Sequence, residues 1–222
     1  MELKAAAEYG DPSAECLARS GLGMLLARWN ALSSPIPCEE IRAGLAGLTL
    51  ARETIGEWVR FDERGYQRNR VHLTESYEIL VLCWLSGQHS PIHDHGESAC
   101  GVLVVDGVAT ETIVVADQGH RLLEERSRRL QPGSIMISRG VDIHRVANRE
   151  APGVELVTLH VYSPPLKGVR NYRVDGAEQP LDSHCGVALL EPNLAPIALR
   201  TANRRITVDP FAGGQDGPHS EN

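Results

Sequence analysis

No hydrophobic run in this chain of 222 residues approaches the ~20 apolar residues that a helix needs to cross a bilayer. Met1-Glu2-Leu3-Lys4-Ala5 lacks the basic start and apolar core of a secretory signal, so a cytoplasmic protein with no membrane partner is expected. Cysteine is sparse and odd in number. Cys16, Cys38, Cys83, Cys100 and Cys185 have neither the close, regular spacing of a disulfide framework nor a Cys-x-x-Cys metal pair, and most read as reduced thiols. An excess of positive charge is missing too: the formal net charge is −7, with both signs intermixed, which argues against nucleic acid or an anionic membrane as the main partner. The one basic cluster, Glu124-Glu125-Arg126-Ser127-Arg128-Arg129, reads as a solvated loop or edge strand. No internal repeat is visible, and a chain of this length requires no second core.

What is present divides into a helical start and a β-rich body. From Pro12 to about Val59 the pattern is mostly helical, starting at Asp11-Pro12-Ser13 and carrying Leu17, Leu22, Met24, Leu25 and Trp29 near three-to-four spacing. Ser33-Ser34-Pro35-Ile36-Pro37 breaks it, and Glu39 to Ala46 and Ala51 to Val59 read as two further short helices. This amphipathic segment is expected to pack against a barrel and cover one end of it. After Gly65 the chain breaks into short apolar segments: Gln67 to His72, Glu78 to Leu85, Gly101 to Val105, Ala109 to Val115, Ser134 to Ser138, His144 to Ala147 and Glu155 to Tyr162. Val104-Val105-Asp106-Gly107-Val108 carries an Asp-Gly hairpin signal, and Gln131-Pro132-Gly133 a second turn. Many short strands without helices between them imply an antiparallel barrel or double-sheet jelly roll. Beyond Pro164-Pro165 a loop with short strands at Gly168 to Val174 and Ile206 to Val208 is expected, then a disordered tail around Gly213 to Pro218. The whole chain, 1–222, is expected to be a single domain with a helical segment (1–60), a barrel core (61–175) and a C-terminal extension (176–222), forming a monomer or weak homo-oligomer.

The chemistry concentrates in Gly87-Gln88-His89-Ser90-Pro91-Ile92-His93-Asp94-His95. Side chains alternate along a strand with period two, so His93 and His95 can point into one cavity. A third histidine from a distant strand, His144, would complete a set of three neutral nitrogen ligands suited to iron, zinc, copper or nickel. The alternative is that His-x-His is simply a polar edge strand. Glu97, two residues past His95, is a rival carboxylate, which the glycine at 96 argues against. His72, His89, His120, His184 and His219 read as surface histidines, although His72 and His89 could line an entrance.

Gly87-x5-His93-x-His95-x4-Cys100-x6-Gly107 resembles the first cupin motif, G-x5-H-x-H-x3,4-E-x6-G, in every spacing. Cys100 stands where most cupins have a glutamate ligand. The second motif, G-x5-P-x-G-x2-H-x3-N, is matched by Gly133, His144 and Asn148, while Arg139 and Val141 replace its proline and second glycine. The resemblance implies a mainly β, cupin-type jelly-roll barrel with the helical segment packed against it. Without the acidic ligand, three neutral histidines leave coordination positions free and the metal's positive charge unreduced, a setting that favours an anionic thiolate.

A narrower resemblance, to the cysteine dioxygenases, runs from about Tyr66 to Pro165. It is carried by Tyr66-Gln67-Arg68-Asn69, Leu82-Cys83-Trp84, Ile92-His93-Asp94-His95, Cys100, His144-Arg145-Val146 and Leu159-His160-Val161-Tyr162-Ser163-Pro164-Pro165. Such enzymes use iron(II) and dioxygen to convert L-cysteine to its sulfinic acid. The resemblance makes His93, His95 and His144 the ligands of the iron(II) cofactor and Arg68 the group that binds the substrate carboxylate, with Tyr66 as a second contact. A planar guanidinium suits that task because it forms two parallel hydrogen bonds to a carboxylate. Thr158, His160 and Tyr162 lie at i, i+2 and i+4 of one strand and match the family's Ser-His-Tyr relay with threonine for serine. Cys100 matches the cysteine that becomes joined by a thioether to the active-site tyrosine in the mammalian enzymes, where many bacterial relatives have glycine; otherwise it is a small buried thiol.

The expected partners are thus L-cysteine and dioxygen. A dioxygenase for another small thiol such as 3-mercaptopropionate is an alternative; those relatives typically carry glutamine in place of the arginine, and Gln67 adjoins Arg68. A non-catalytic metal-binding cupin is a second, although it has no evident need for the Thr158, His160 and Tyr162 relay. A sugar isomerase or epimerase would call for the fourth acidic ligand that this motif lacks.

Overall fold

The computed structural model describes residues 21–118, 121–174 and 204–209. The expected helix start at Asp11, Leu17, the tail at 213–218, Cys16, Cys185, His120, His184 and His219 lie outside them. Helix α1 spans Leu22–Asn30, α2 spans Cys38–Ala46, and a 3-10 helix covers Arg52–Trp58. In α1, Leu22, Leu25 and Trp29 are buried at i, i+3 and i+7. Met24 falls off that stripe and is 72% exposed, so it is not part of the apolar face. No helix among the described residues is long and apolar enough to cross a membrane.

The strands are β1 (Gln67–Leu73), β2 (Glu78–Trp84), β3 (Ile92–His93), β4 (Ala99–Asp106), β5 (Ala109–Ala116), β6 (Leu122–Leu130), β7 (Ile135–Ser138), β8 (Ile143–Ala147), β9 (Leu156–Ser163), β10 (Asn171–Val174) and β11 (Ile206–Val208). They form a five-stranded sheet in the order β1-β2-β9-β4-β7 and a six-stranded sheet in the order β11-β10-β3-β8-β5-β6. The ladders are antiparallel. Leu80, Leu82, Val102 and Val104 of the first sheet meet Ala109 and Val146 of the second in one apolar cluster. The architecture is therefore a mainly β, cupin-type jelly-roll barrel.

Every residue of β2 and β9 is buried. A strand with no polar alternation must be covered on both faces. The outward set, Ile79, Val81, Cys83, Val157, Leu159 and Val161, packs under Leu22, Leu25, Trp29, Ile41, Leu45 and Ile55 of the helices. The helical segment thus lies on the outer face of the five-stranded sheet and does not cap an end of the barrel. Two glycines set how close it comes. A Cβ on Gly101 of β4 would sit 2.3 Å from Ile41 Cγ2 of α2, and one on Gly44 of α2 would sit 2.4 Å from Trp29.

The Asp-Gly signal does not make a hairpin. Among the described ladders β4 pairs with β7 and β9, and β5 with β6 and β8, so Asp106-Gly107 carries the chain from one sheet to the other. Gly107 has φ +76°, and a Cβ there would lie 2.2 Å from the Glu155 carbonyl oxygen, which explains a glycine at a crossing rather than in a two-residue turn. The basic cluster belongs to β6, an edge strand whose charged side chains are mostly exposed.

Replacing Gly101 with valine forces α2 off the sheet. Overpacking of this kind costs about 1–3 kcal/mol, so G101V is expected to lower the midpoint of denaturant unfolding, and an unchanged midpoint would mean that the helix does not press on β4.

Candidate metal centre

Three histidines from two segments meet inside the barrel. His93 ends β3, and its register partner on β8 is His144. His95 lies beyond the end of β3, in a loop, so the two-residue spacing brings both rings inward through a turn rather than along a continuous strand. The turn needs two glycines: Gly96 at φ +60°, whose Cβ would lie 2.4 Å from the Lys167 carbonyl oxygen, and Gly140, whose Cβ would lie 1.9 Å from the Gly96 carbonyl oxygen. Gly140 also accepts a hydrogen bond from the His95 backbone N–H at 2.9 Å. Where the cupin pattern places its second glycine at 141, the close approach here falls one residue earlier.

One ligand nitrogen from each of His93, His95 and His144 lies within 4.8 Å of the others, and all three residues are buried. His95 Nε2 and His144 Nε2 are 3.3 Å apart. Each Nδ1 instead faces the protein. His93 Nδ1 lies 3.0 Å from the Pro91 carbonyl oxygen, His95 Nδ1 3.4 Å from Ser138 Oγ, and His144 Nδ1 3.0 Å from Glu111 Oε1. An Nδ1–H that donates outward leaves Nε2 as a lone pair aimed inward, the tautomer a metal requires. Burial, reinforced by His144, pushes His93 down to about 3, and the same two causes hold His95 well below the usual imidazole range. Both rings are neutral at physiological pH, which fits a cation and not a protonated cluster.

Two carboxylates that sequence reasoning missed hold this arrangement. Glu111 accepts from His144 and also takes a charged hydrogen bond from Arg128 at 2.6 Å. Burial opposes its ionisation, but the hydrogen bonds from His144 and Arg128 outweigh that and hold it below the ordinary carboxylate range. Its parity with Ala109, a barrel-core residue two positions earlier on β5, is the signal that could have revealed it. Asp94, between the two histidines, points the other way and is 0% exposed. It accepts from Arg170 Nε (2.7 Å), Tyr172 OH (2.7 Å), Arg170 N (3.0 Å) and Gly96 N (3.1 Å), tying the ligand loop to β10. Glu97 is exposed and stands outside the site.

Tyr66, Arg68, Trp84, Cys100, His160 and Tyr162 line the same narrow cavity. Arg68 pairs with Leu82 of the barrel interior, while Gln67 pairs with Cys83, which packs beneath the helices. Arg68, not Gln67, therefore faces the cavity, its guanidinium carbon 6.0 Å from the centre of the Tyr162 ring. His160 Nε2 lies 2.8 Å from Thr158 Oγ1, and His160 Nδ1 lies 3.0 Å from Tyr162 OH. Cys100 and Tyr162 are register partners on β4 and β9. Burial pushes the Cys100 thiol up to about 12, against hydrogen bonds from Ser138 and Tyr162. Neither His72, bonded to Asn30, nor His89, bonded to the Ser90 carbonyl, lines the cavity.

Fold and centre together define a cupin-type barrel with a buried group of three histidines that could hold a metal ion. The model of the cysteine dioxygenase type I family matches residues 44–175, and the chain belongs to that family. It is 29% identical over 132 residues to cysteine dioxygenase type 1 of Rattus norvegicus, covering 58% of this chain and 66% of that protein. With the Homo sapiens protein of the same name it shares 32% identity over 119 residues, 50% of this chain and 58% of the relative. The match thus spans about two thirds or less of these relatives' length. Among solved structures, a double-stranded β-helix protein from Klebsiella pneumoniae superposes with a TM-score of 0.41 and 21% identity, over 52% of this chain and 90% of its own.

Glu111→Gln keeps an acceptor for His144 but removes its charge. Loss of such a partner typically costs about 10- to 100-fold in metal affinity, and chelator competition with a divalent metal is expected to show a loss of that size.

Proposed function

We propose that this chain is an iron(II)-dependent thiol dioxygenase that oxidises L-cysteine with dioxygen to cysteine sulfinic acid. The observation that carries the reading is a three-imidazole ligand set sharing one small cavity with a buried arginine, in a member of the cysteine dioxygenase type I family. Iron(II) held by His93, His95 and His144 would supply a place for thiolate and dioxygen to meet and the redox capacity to join them. The rest of the work belongs to the chain's own side chains. Arg68 is 7% exposed, and there it binds the substrate carboxylate with little competition from water. Tyr66 hydrogen-bonds Arg68 and closes the same corner. Burial raises the Tyr162 phenol well above its ordinary value, so it enters the reaction as a proton-bearing donor held in place by His160. The barrel's apolar lining, Leu82, Val102 and Val146, limits water at the site.

Cysteine is favoured over 3-mercaptopropionate because Gln67, the residue that left the register open, belongs to the opposite face of β1. An oxygen-electrode assay of iron-loaded protein with L-cysteine, 3-mercaptopropionate and cysteamine tests the reading. L-Cysteine is expected to drive the fastest uptake, and no uptake with any thiol would leave a binding module. Removing Arg68 discriminates further. Arg68→Ala should cost about 2–4 kcal/mol of transition-state binding, on the order of thirtyfold to a thousandfold in kcat/KM for L-cysteine. Cysteamine lacks the carboxylate and should be nearly indifferent, whereas equal losses on both would make Arg68 structural.

Cys100 and Tyr162 form the thioether of the mammalian enzymes in the same reading. A bond forms between Cys100 Sγ and the ring carbon beside the Tyr162 hydroxyl, the S–H and one ring C–H are lost, and dioxygen takes up the two electrons and two protons. The coupling fixes the phenol and preorganises its hydrogen bond. Protein aged with iron, dioxygen and cysteine should contain a fraction lighter by two hydrogens, with the peptides around 100 and 162 joined. Cys100→Gly should stay partly active and never show that fraction.

A further inference from the structure

The relay has a fourth member. Trp84, at the end of β2, is 1% exposed, and its indole Nε1 lies 3.0 Å from Thr158 Oγ1. Its ring stacks on Tyr66 at 4.2 Å between centroids with 17° between planes. Its carbonyl accepts from Asn148 Nδ2 at 3.0 Å, so both ends of the residue are fixed. Indole nitrogen is a donor and never an acceptor, whereas a hydroxyl and a neutral imidazole can each face either way. Trp84 is thus the one group in the row whose proton has a known direction.

Two arrangements of the row are possible. In one, the His160 ring carries its proton on Nε2, Tyr162 donates to Nδ1, and two N–H groups converge on Thr158 Oγ1. The Thr158 proton is then left with the Leu82 carbonyl at 3.5 Å, beyond the ordinary O–H···O range of about 2.5–3.0 Å. In the other, Trp84 donates to Thr158, Thr158 donates to His160 Nε2 at 2.8 Å, and His160 Nδ1–H donates to the Tyr162 oxygen at 3.0 Å. Each group then has a partner at normal distance, and each bond polarises the next in the same sense. The Tyr162 proton is then free of the row and turned toward Cys100 and the cavity that both residues line.

We propose that Trp84 is a positioning residue: its indole N–H sets the direction of the Thr158, His160 and Tyr162 row, so that the Tyr162 hydroxyl donates into the metal cavity instead of back to His160. Tyr162 could then hydrogen-bond a substrate anion or an oxygen atom at the site. Its direction would be decided three residues away. The stacking on Tyr66, which in turn bonds Arg68, also ties the carboxylate-binding corner to the relay through one aromatic ring.

The catalytic consequence rests on the dioxygenase reading, but the proton arrangement does not, and it is measured without turnover. Nitrogen-15 NMR of the His160 ring in the full chain, metal-free and zinc-loaded, reports which nitrogen bears the proton, with His160→Gln used to assign the signal. The wild-type protein should show Nδ1–H. Trp84→Phe keeps a stacking ring and removes the donor, and it should shift population toward Nε2–H. Wild-type protein with Nε2–H overturns the proposal, as does a Trp84→Phe ring whose tautomer is unchanged. In the iron-loaded protein Trp84→Phe should lower kcat for L-cysteine while leaving KM unchanged, the signature of an interaction made only in the transition state. If wild-type protein is inactive on every thiol while the tautomers behave as stated, the dioxygenase reading fails and the proton arrangement stands.

Discussion

Three imidazoles can hold one metal ion between them only if none carries a proton on the facing nitrogen. Everything around the centre serves that condition. The Nδ1 atoms of His93 and His144 face pure acceptors, the Pro91 carbonyl and the Glu111 carboxylate, which fix the tautomer of those two rings, and His95 Nδ1 lies against the Ser138 hydroxyl, so each ring is held in one orientation. Burial removes the alternative of protonating the rings, as His93 and His95 show. The backbone obeys the same condition: Asp94 anchors the loop between the ligands to β10, and Gly96 and Gly140 let two chain segments touch where any side chain would collide. The ordinary cupin glutamate has no counterpart among the three clustered histidines. A carboxylate is nevertheless present one hydrogen bond further out, at Glu111, where Arg128 balances it.

The five-stranded sheet has two jobs, one on each face. Its inner face presents Leu82, His160 and Tyr162 to the cavity, with Thr158 bonded to His160 behind them, while its outer face is a continuous apolar surface under the helices. Because the faces alternate residue by residue, the helices hold the sheet that fixes the relay. A shift of β9 by one residue would send His160 and Tyr162 under the helices and bring Leu159 and Val161 into the cavity. The apolar cover is therefore part of what gives the site its register, and the full burial of β2 and β9 is its cost in surface.

Much of this was legible in the sequence because it depends on local pattern. The three helices, the runs from Gln67 to Tyr162 and the strand at Ile206–Val208 follow from periodicity and turn residues. The motif spacing placed His93, His95 and His144, and the structure brings those three rings together. What escaped depends on pairing between distant segments. An Asp-Gly pair looks the same whether it closes a hairpin or crosses between sheets, and only the Glu155 carbonyl pressed against Gly107 tells them apart. The outer sheet face was mistaken for a barrel end because amphipathicity says that a helix is covered without saying by what. Glu111 and Asp94 read as ordinary strand and loop carboxylates, since nothing local marks them as partners of His144 and of Arg170 and Tyr172. The direction of the relay was invisible for the same reason, as Trp84 and Thr158 lie far apart in the chain.

The central claim is that this cavity delivers both atoms of dioxygen to the sulfur of a carboxylate-bearing thiol. Incubating the iron-loaded protein with L-cysteine under oxygen-18 gas and weighing the product tests it most directly. The account predicts cysteine sulfinic acid with two oxygen-18 atoms on sulfur, formed in a one-to-one ratio with the dioxygen consumed. Cystine as the sole product, or a sulfinate whose oxygens come from water, would contradict it.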